Sequence, residues 1–202
     1  MEAERWQLWT VTTQAVTYTR TACSADGPRC GGGGVLSDHQ LVTRVAGENE
    51  DAFRTLYDRF ADRVFRYALT LLRDRHLAEE AAQETMIAVW KGAQRFEARS
   101  KVSTWIFGIA RNKAFDLIRR EKRGDRTPDV SLVSPDPAPG LLRQEVVAGA
   151  MSTLPEPQRE VVFLTFYEGL SYGEIAGVLG IPEGTVKSRM FHAKRKLAEA
   201  LT

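Results

Sequence analysis

From Ser37 onward the apolar residues of this chain recur at spacings of three and four, in stretch after stretch. That is the period of one helix face; a half-buried strand would alternate in twos. Phe53, Leu56, Tyr57, Phe60, Val64, Tyr67, Ala68 and Leu71 form one stripe on a long helix. "RDRH" interrupts, and Leu77, Ala81, Ala82, Met86, Val89, Trp90 and Ala93 form a second. The polar stretch "FEARSKVS" intervenes, and Val102, Trp105, Ile106, Ile109, Ala110, Leu117 and Ile118 form a third. Ser37 and Gln40 make a capping-box pattern ahead of a shorter helix, Gly47 breaks that helix, and Asn49 can cap the next. The spacing predicts an all-α chain, with a compact bundle over residues 37–123 whose helices bury their stripes against each other.

Residues 124–140, "GDRTPDVSLVSPDPAPG", hold four prolines, two glycines and three aspartates. Proline withholds the donor a helix needs, and the polar majority cannot build a core. This is a flexible linker, and a second small helical domain follows over 141–202. There, Pro155 and Pro157 mark the start of a helix through Val161, Val162, Leu164 and Phe166, which Gly169 ends. Ser171 and Glu174 fit a capping box, Ile175, Ala176 and Leu179 give an inward face, and Gly180 suits a left-handed cap. Pro182 can open the next helix, where its missing donor costs nothing. Two short helices at an angle, the second basic, read as a helix-turn-helix whose second helix lies in a DNA major groove. Val186, Met190 and Leu197 point back to the core. Thr185, Lys187, Ser188, Arg189, Phe191, His192 and Arg195 are the candidates for contact with DNA: Lys and His for base edges or phosphates, Ser for base edges, Phe for a thymine methyl, and Arg189 and Arg195 for phosphates.

The net charge of +2 conceals an uneven distribution. Residues 37–93 carry eight Lys/Arg against ten Asp/Glu; residues 95–123 carry nine against three; residues 183–202 carry five against two. Two basic blocks in one small chain suit a polyanion touched twice, or two solvated helix faces. The linker supports the first reading. Seventeen residues extended at ~3.5 Å each reach ~60 Å, and with a radius of ~13 Å for each domain the chain spans roughly 25 base pairs at ~3.4 Å each.

Here the residues resemble a known family. "AEEAAQETMIAVWKGAQRFEARSKVSTWIFGIARNKAFDLIRREKR" resembles conserved region 2 of the sigma-70 family, and "LPEPQREVVFLTFYEGLSYGEIAGVLGIPEGTVKSRMFHAKRKL" resembles region 4. The layout, two regions and a short linker, is similar to that of an extracytoplasmic-function (group IV) sigma factor. The resemblance covers about residues 37–200 and implies a protein that binds core RNA polymerase, directs it to specific promoters and helps melt the −10 element. Glu79, Glu80, Gln83, Glu84 and Trp90 match positions that dock on the β′ clamp; the family often has Asp where this chain has Glu80. Trp90 can equally be core. The "FEARSKVSTW" loop and the helix after it match the element that opens the −10 region, with Phe96, Lys101, Ser103, Thr104, Trp105 and Asn112 as candidates to hold an unstacked base. Arg111, Lys113, Arg119 and Arg120 would hold phosphates there. Trp105 also falls on the apolar stripe. Region 4 implies the β flap as a further partner, and the family implies an anti-sigma factor.

Two rivals need features that are hard to find. A one-component regulator needs a sensor or dimerisation domain, and a serine recombinase needs an α/β catalytic domain with strands. No nucleophile–base pair, phosphate loop or metal-ligand cluster is readable; His39, His76 and His192 are scattered. No catalytic residue, cofactor or metal is expected, and no apolar run is long enough for membrane insertion. With no signal-peptide pattern, a cytoplasmic chain is expected. Residues 1–36 do not match the helical pattern of the rest of the chain. "WTVTTQAVTYT" favours strands and "CGGGG" is a break. This unassigned extension is expected to be disordered; a tail, a regulatory segment or appended sequence all fit. Cys23 and Cys30, with six residues between them, make no disulfide framework.

Overall fold

The structure, a computed structural model, describes residues 36–123 and 149–200. The N-terminal extension apart from its last residue, the linker, and the start of the second block at 141–148 lie outside the described residues. Those described fall in one compact unit, Val35–Thr202. They form α1 (Asp38–Ala46), α2 (Glu50–Leu72), α3 (Arg75–Gly92), a 3-10 turn (Ala93–Arg95) and α4 (Val102–Lys122), then α5 (Glu156–Phe166), α6 (Tyr172–Leu179) and α7 (Glu183–Ala200).

Local chemistry sets these boundaries. The Ser37 side chain accepts from the Gln40 amide while the Gln40 side chain accepts from the Ser37 amide, so two orphan donors are satisfied together. Asn49 and Asp74 accept from Ala52 and Leu77 at the starts of α2 and α3 (2.8 and 2.9 Å). Ser171 and Glu174 close a second capping box at α6. Gly180, at φ 64°, ends that helix in the left-handed conformation that glycine adopts without a Cβ penalty. Pro182 stands just before α7, and its carbonyl accepts from the Thr185 and Val186 amides.

The stripes meet as expected within the first bundle. Leu56, Phe60, Val64, Tyr67 and Leu71 of α2 pack with Met86 and Val89 of α3 and with Ile106, Phe107, Ala110 and Ala114 of α4, all buried. One expectation is corrected. The bundle does not bury its stripes only on itself, because its core continues into the second helical domain. Tyr67 is fully buried, 5.4 Å from Phe107 and 5.7 Å from Phe163 between ring centroids. Helix α2 packs on α5, and α4 packs on α6. A stripe read along one helix states which face is buried; it does not state what buries it. Phe166, the last residue of α5, is 63% exposed, beside Tyr167 at 54%, while Phe163 is buried.

Candidate nucleic-acid interfaces

Helix α7 presents its candidates outward. Val186, Met190 and Ala193 are buried, and Leu197 is half-buried against the core. Residues at one, two, five and six positions beyond Val186 therefore share the opposite face. Lys187, Ser188, Phe191 and His192 are all exposed there, and Phe191 is 66% exposed. His192 meets the Phe191 ring edge-on at 5.5 Å. Thr185 and Arg189 are half-buried at the margins, and Arg195 is exposed. The partners of these cations are local and in solvent. Lys187 pairs with Glu183 at 2.8 Å, which raises its pKa, and Arg195 lies 3.9 Å from Glu199. Exposed i,i+4 pairs of this kind are worth little and exchange readily for a phosphate.

The candidates for the −10 side sit differently. Phe96 and Trp105 stack tilted at 4.8 Å, both half-buried. A Cβ at Gly92 would lie 3.3 Å from the Trp105 ring, so the glycine lets that indole close on α3. Trp105 is thus a packing residue with one accessible face. Ser103 is half-buried and Asn112 exposed. Thr104 is buried at 8% exposure, and its hydroxyl has no hydrogen-bond partner. Lys101 is exposed and pairs with Glu174 of α6 at 2.8 Å. All four proposed phosphate ligands are engaged by carboxylates. Arg111 donates to Glu160 (3.0 Å), Lys113 to Glu84 (3.0 Å), Arg120 to Glu84 (3.0 Å), and Arg119 to Asp116.

The docking candidates on α3 divide in two. Gln83 is exposed, as is its neighbour Ile87 one turn on. Glu84 instead faces α4. Partial burial pushes its pKa up, but the hydrogen bonds from Lys113 and Arg120 outweigh that and hold it below the ordinary value. Glu80 lies 3.8 Å from Arg120, and Glu79 pairs with Arg75 at 3.0 Å. Trp90 is half-buried and meets Phe53 edge-on at 5.0 Å, so it is both packed and partly accessible.

Sequence reasoning missed the charged residues between the two helical domains. Glu160, 2% exposed, accepts from Tyr67 Oη at 2.7 Å and from Arg111 Nε at 3.0 Å. Burial raises its pKa, against the opposing pull of Tyr67 and Arg111. The same burial, with Glu160 alongside, pushes the Tyr67 hydroxyl well above its ordinary value. Arg63 donates twice to Glu168 (2.6 and 2.9 Å), whose side chain is buried. Arg159 donates to the carbonyls of Thr70, Leu154 and Met151. The only signal in the sequence is a charged pair, Arg159–Glu160, running directly into an apolar run.

A helical bundle with a basic helix, followed by a helix-turn-helix with an outward basic face, defines a two-part DNA-binding protein. Comparison with known proteins gives the family. Residues 56–124 match the model described as Sigma-70 region 2, and residues 144–197 match Sigma-70, region 4. The ECF RNA polymerase sigma factor SigK of Mycobacterium tuberculosis is 32% identical over 171 residues, covering 80% of this chain and 91% of SigK. SigM of Bacillus subtilis is 32% identical over 148 residues, covering 70% and 90%. Among solved structures, CnrH in complex with the cytosolic domain of CnrY matches at TM-score 0.62 and 28% identity, over 81% of this chain and 96% of that one. Sigma factor RpoE from Bartonella quintana, in complex with the anti-sigma factor NepR, matches at 0.64 and 29%, over 74% and 96%. This chain belongs to the ECF family of RNA polymerase sigma factors.

Proposed function

We propose that this sigma factor binds core RNA polymerase through the outer face of α3, reads the −35 element with α7, and helps open the −10 element with the 96–105 loop and the start of α4. Residues 37–123 then act as the clamp and −10 domain, 124–140 as linker, and 141–202 as the −35 domain, which also meets the β flap. The observation that carries this reading is α7, whose exposed face gathers Lys187, Ser188, Phe191 and His192 opposite a buried Val186–Met190 seam. That face offers donors for base edges and one ring for a thymine methyl. Gln83 and Trp90 anchor the polymerase contact, and Glu84 serves it indirectly by ordering Lys113 and Arg120. Unstacking a base at −10 costs a few kcal/mol, which Phe96, Trp105 and Asn112 would offset by stacking and hydrogen bonding.

The protein acts without a cofactor and catalyses nothing itself; chemistry belongs to the polymerase. None of the described helices is long and apolar enough to cross a membrane, in keeping with action in the cytoplasm. An anti-sigma factor is a further partner by analogy with the RpoE complex. The test is run-off transcription with purified core polymerase over a promoter library. Addition of the chain should yield transcripts from a narrow set of promoters sharing −35 and −10 elements. Duplex binding by the chain alone, with no transcripts from any promoter, would point to a one-component regulator.

A further inference from the structure

We propose that His39 of α1 is a further base-binding residue of the −10 site: its imidazole adds a stacking face beside Phe96, on which one nucleobase of the unpaired strand rests. The inference rests on the −10 assignment of the proposed function. It extends that site to a residue outside the stretch, 56–124, that matches region 2.

Helix α1 packs on the 3-10 turn Ala93–Arg95 that leads into the loop. The packing sets His39 against Phe96, with ring centroids 5.9 Å apart and planes at 58°. Phe96 also meets Trp105, at 4.8 Å. Both separations lie in the range of favourable aromatic pairs. The two neighbours of Phe96 differ in depth. Trp105 is half-buried and closes on Gly92 of α3. His39 is exposed. Its carbonyl accepts from the Thr43 hydroxyl (3.0 Å), whereas its ring nitrogens make no hydrogen bond among the described residues. An imidazole in solvent beside a half-buried ring buries little apolar area, so packing alone gives it a weak purpose. What it offers is a π-face for a base and a ring N–H for a base edge or phosphate.

The loop beside it is shaped before a strand arrives. The Phe96 amide donates to the Ala93 carbonyl (3.2 Å), which fixes the ring at the end of the turn. Ala98 stands at φ 55°, a left-handed conformation that is costly for a residue with a Cβ and persists where its surroundings impose it. Across that bend Glu97 and Arg99 pair with each other at 2.7 Å. Two exposed or half-exposed rings on a fixed loop and a fixed helix give a base a surface to stack on without first ordering the protein.

The test uses holoenzyme and a fluorescein-labelled fork-junction DNA from a promoter it transcribes, with the −10 nucleotides unpaired. Each unpaired nucleotide is replaced in turn by an abasic residue, which removes the base and keeps the phosphate. His39→Ala should weaken binding of the intact fork at least ~5-fold, within the range of one base–ring stack, with an unchanged thermal midpoint. On one abasic probe that loss should vanish, because the base His39 carries is gone. His39→Phe keeps a ring and should retain most of the binding. Three results overturn the proposal: parental binding by His39→Ala while Phe96→Ala weakens the intact fork, the same loss for His39→Ala on every abasic probe, or equal losses for His39→Phe and His39→Ala. Failure of the −10 reading looks different: Phe96→Ala and Asn112→Ala would then bind the intact fork as tightly as the parent chain.

Discussion

Helices α4 and α7 are both basic, both flanked by aromatic residues, and both candidates for DNA, yet they hold their charges in opposite ways. On α7 the cations stand in solvent with partners on their own helix. On α4, Arg111, Lys113 and Arg120 are neutralised by carboxylates from other helices, Glu160 and Glu84, while Arg119 pairs with Asp116. A count of Lys and Arg cannot separate these cases. In the proposed function α7 could meet a duplex as it stands, whereas α4 would first have to exchange protein carboxylates for phosphates.

The comparison is broken most severely at Glu160. Glu160→Ala removes the partner of both Tyr67 and Arg111, leaving a buried hydroxyl and a half-buried guanidinium unpaired. Loss of one member of such a pair costs about 3 kcal/mol, or roughly 6–12 °C in thermal midpoint for a domain of this size. Glu160→Gln keeps an acceptor and should cost about 1 kcal/mol. Calorimetry on both variants checks this, and equal melts for Ala and Gln would refute it.

On α7 the effects should fall on DNA and leave the melt unchanged. Lys187→Ala should cost ~1–3 kcal/mol of binding at one or two base pairs, whereas Arg195→Ala should weaken all sequences alike and lower the salt slope by about one. Arg120→Ala offers the sharper contrast. Because Glu84 already engages Arg120, part of its electrostatic gain is spent within the protein, and its salt slope should change by less than that of Arg195→Ala. Binding measured by anisotropy between 50 and 200 mM salt, a range of about this size being usual, compares the two directly.

The smallest effect is with pH. Hydrogen bonds from Lys101, then Ser171, lower the Glu174 pKa from 4.5 to about 2. The folded chain therefore binds fewer protons than the unfolded chain in that window. The stabilisation is complete above about pH 5 and fades as pH falls toward 2. Lys101 is largely exposed, so screening holds the contribution below about 1 kcal/mol. Glu174→Gln should flatten this part of the acid limb. Glu160 acts in the other sense: its raised pKa favours the folded state at low pH, an advantage lost as pH rises above the ordinary carboxylate range.

Much of this architecture was legible because local chemistry dictated it. Ser37, Asn49, Ser171 and Gly180 cap their helices where a reading of residue types puts them. The α7 face followed from Val186 and Met190, since a helix with a buried seam leaves a known opposite side. What stayed hidden depends on partners distant in sequence. The sequence does not show that α4 brings Lys113 and Arg120 to Glu84 from 29 and 36 residues away. Tyr67 reads as one more stripe residue until Glu160 arrives from 93 residues away. Phe163 and Phe166 are both aromatic residues of α5, and only Phe163 meets the first bundle, through Tyr67.

The most direct test of the claim that α7 reads bases is transcription from a library randomised at −35, using holoenzyme carrying Lys187→Ala, Ser188→Ala, Phe191→Ala or His192→Ala. The expected result is a changed base preference at one or two positions for Lys187→Ala and Phe191→Ala, with preference at −10 unaltered. A uniform fall in transcription for all four, with the same −35 preference as the parent chain, would make α7 a phosphate clamp and contradict its role as the reading helix.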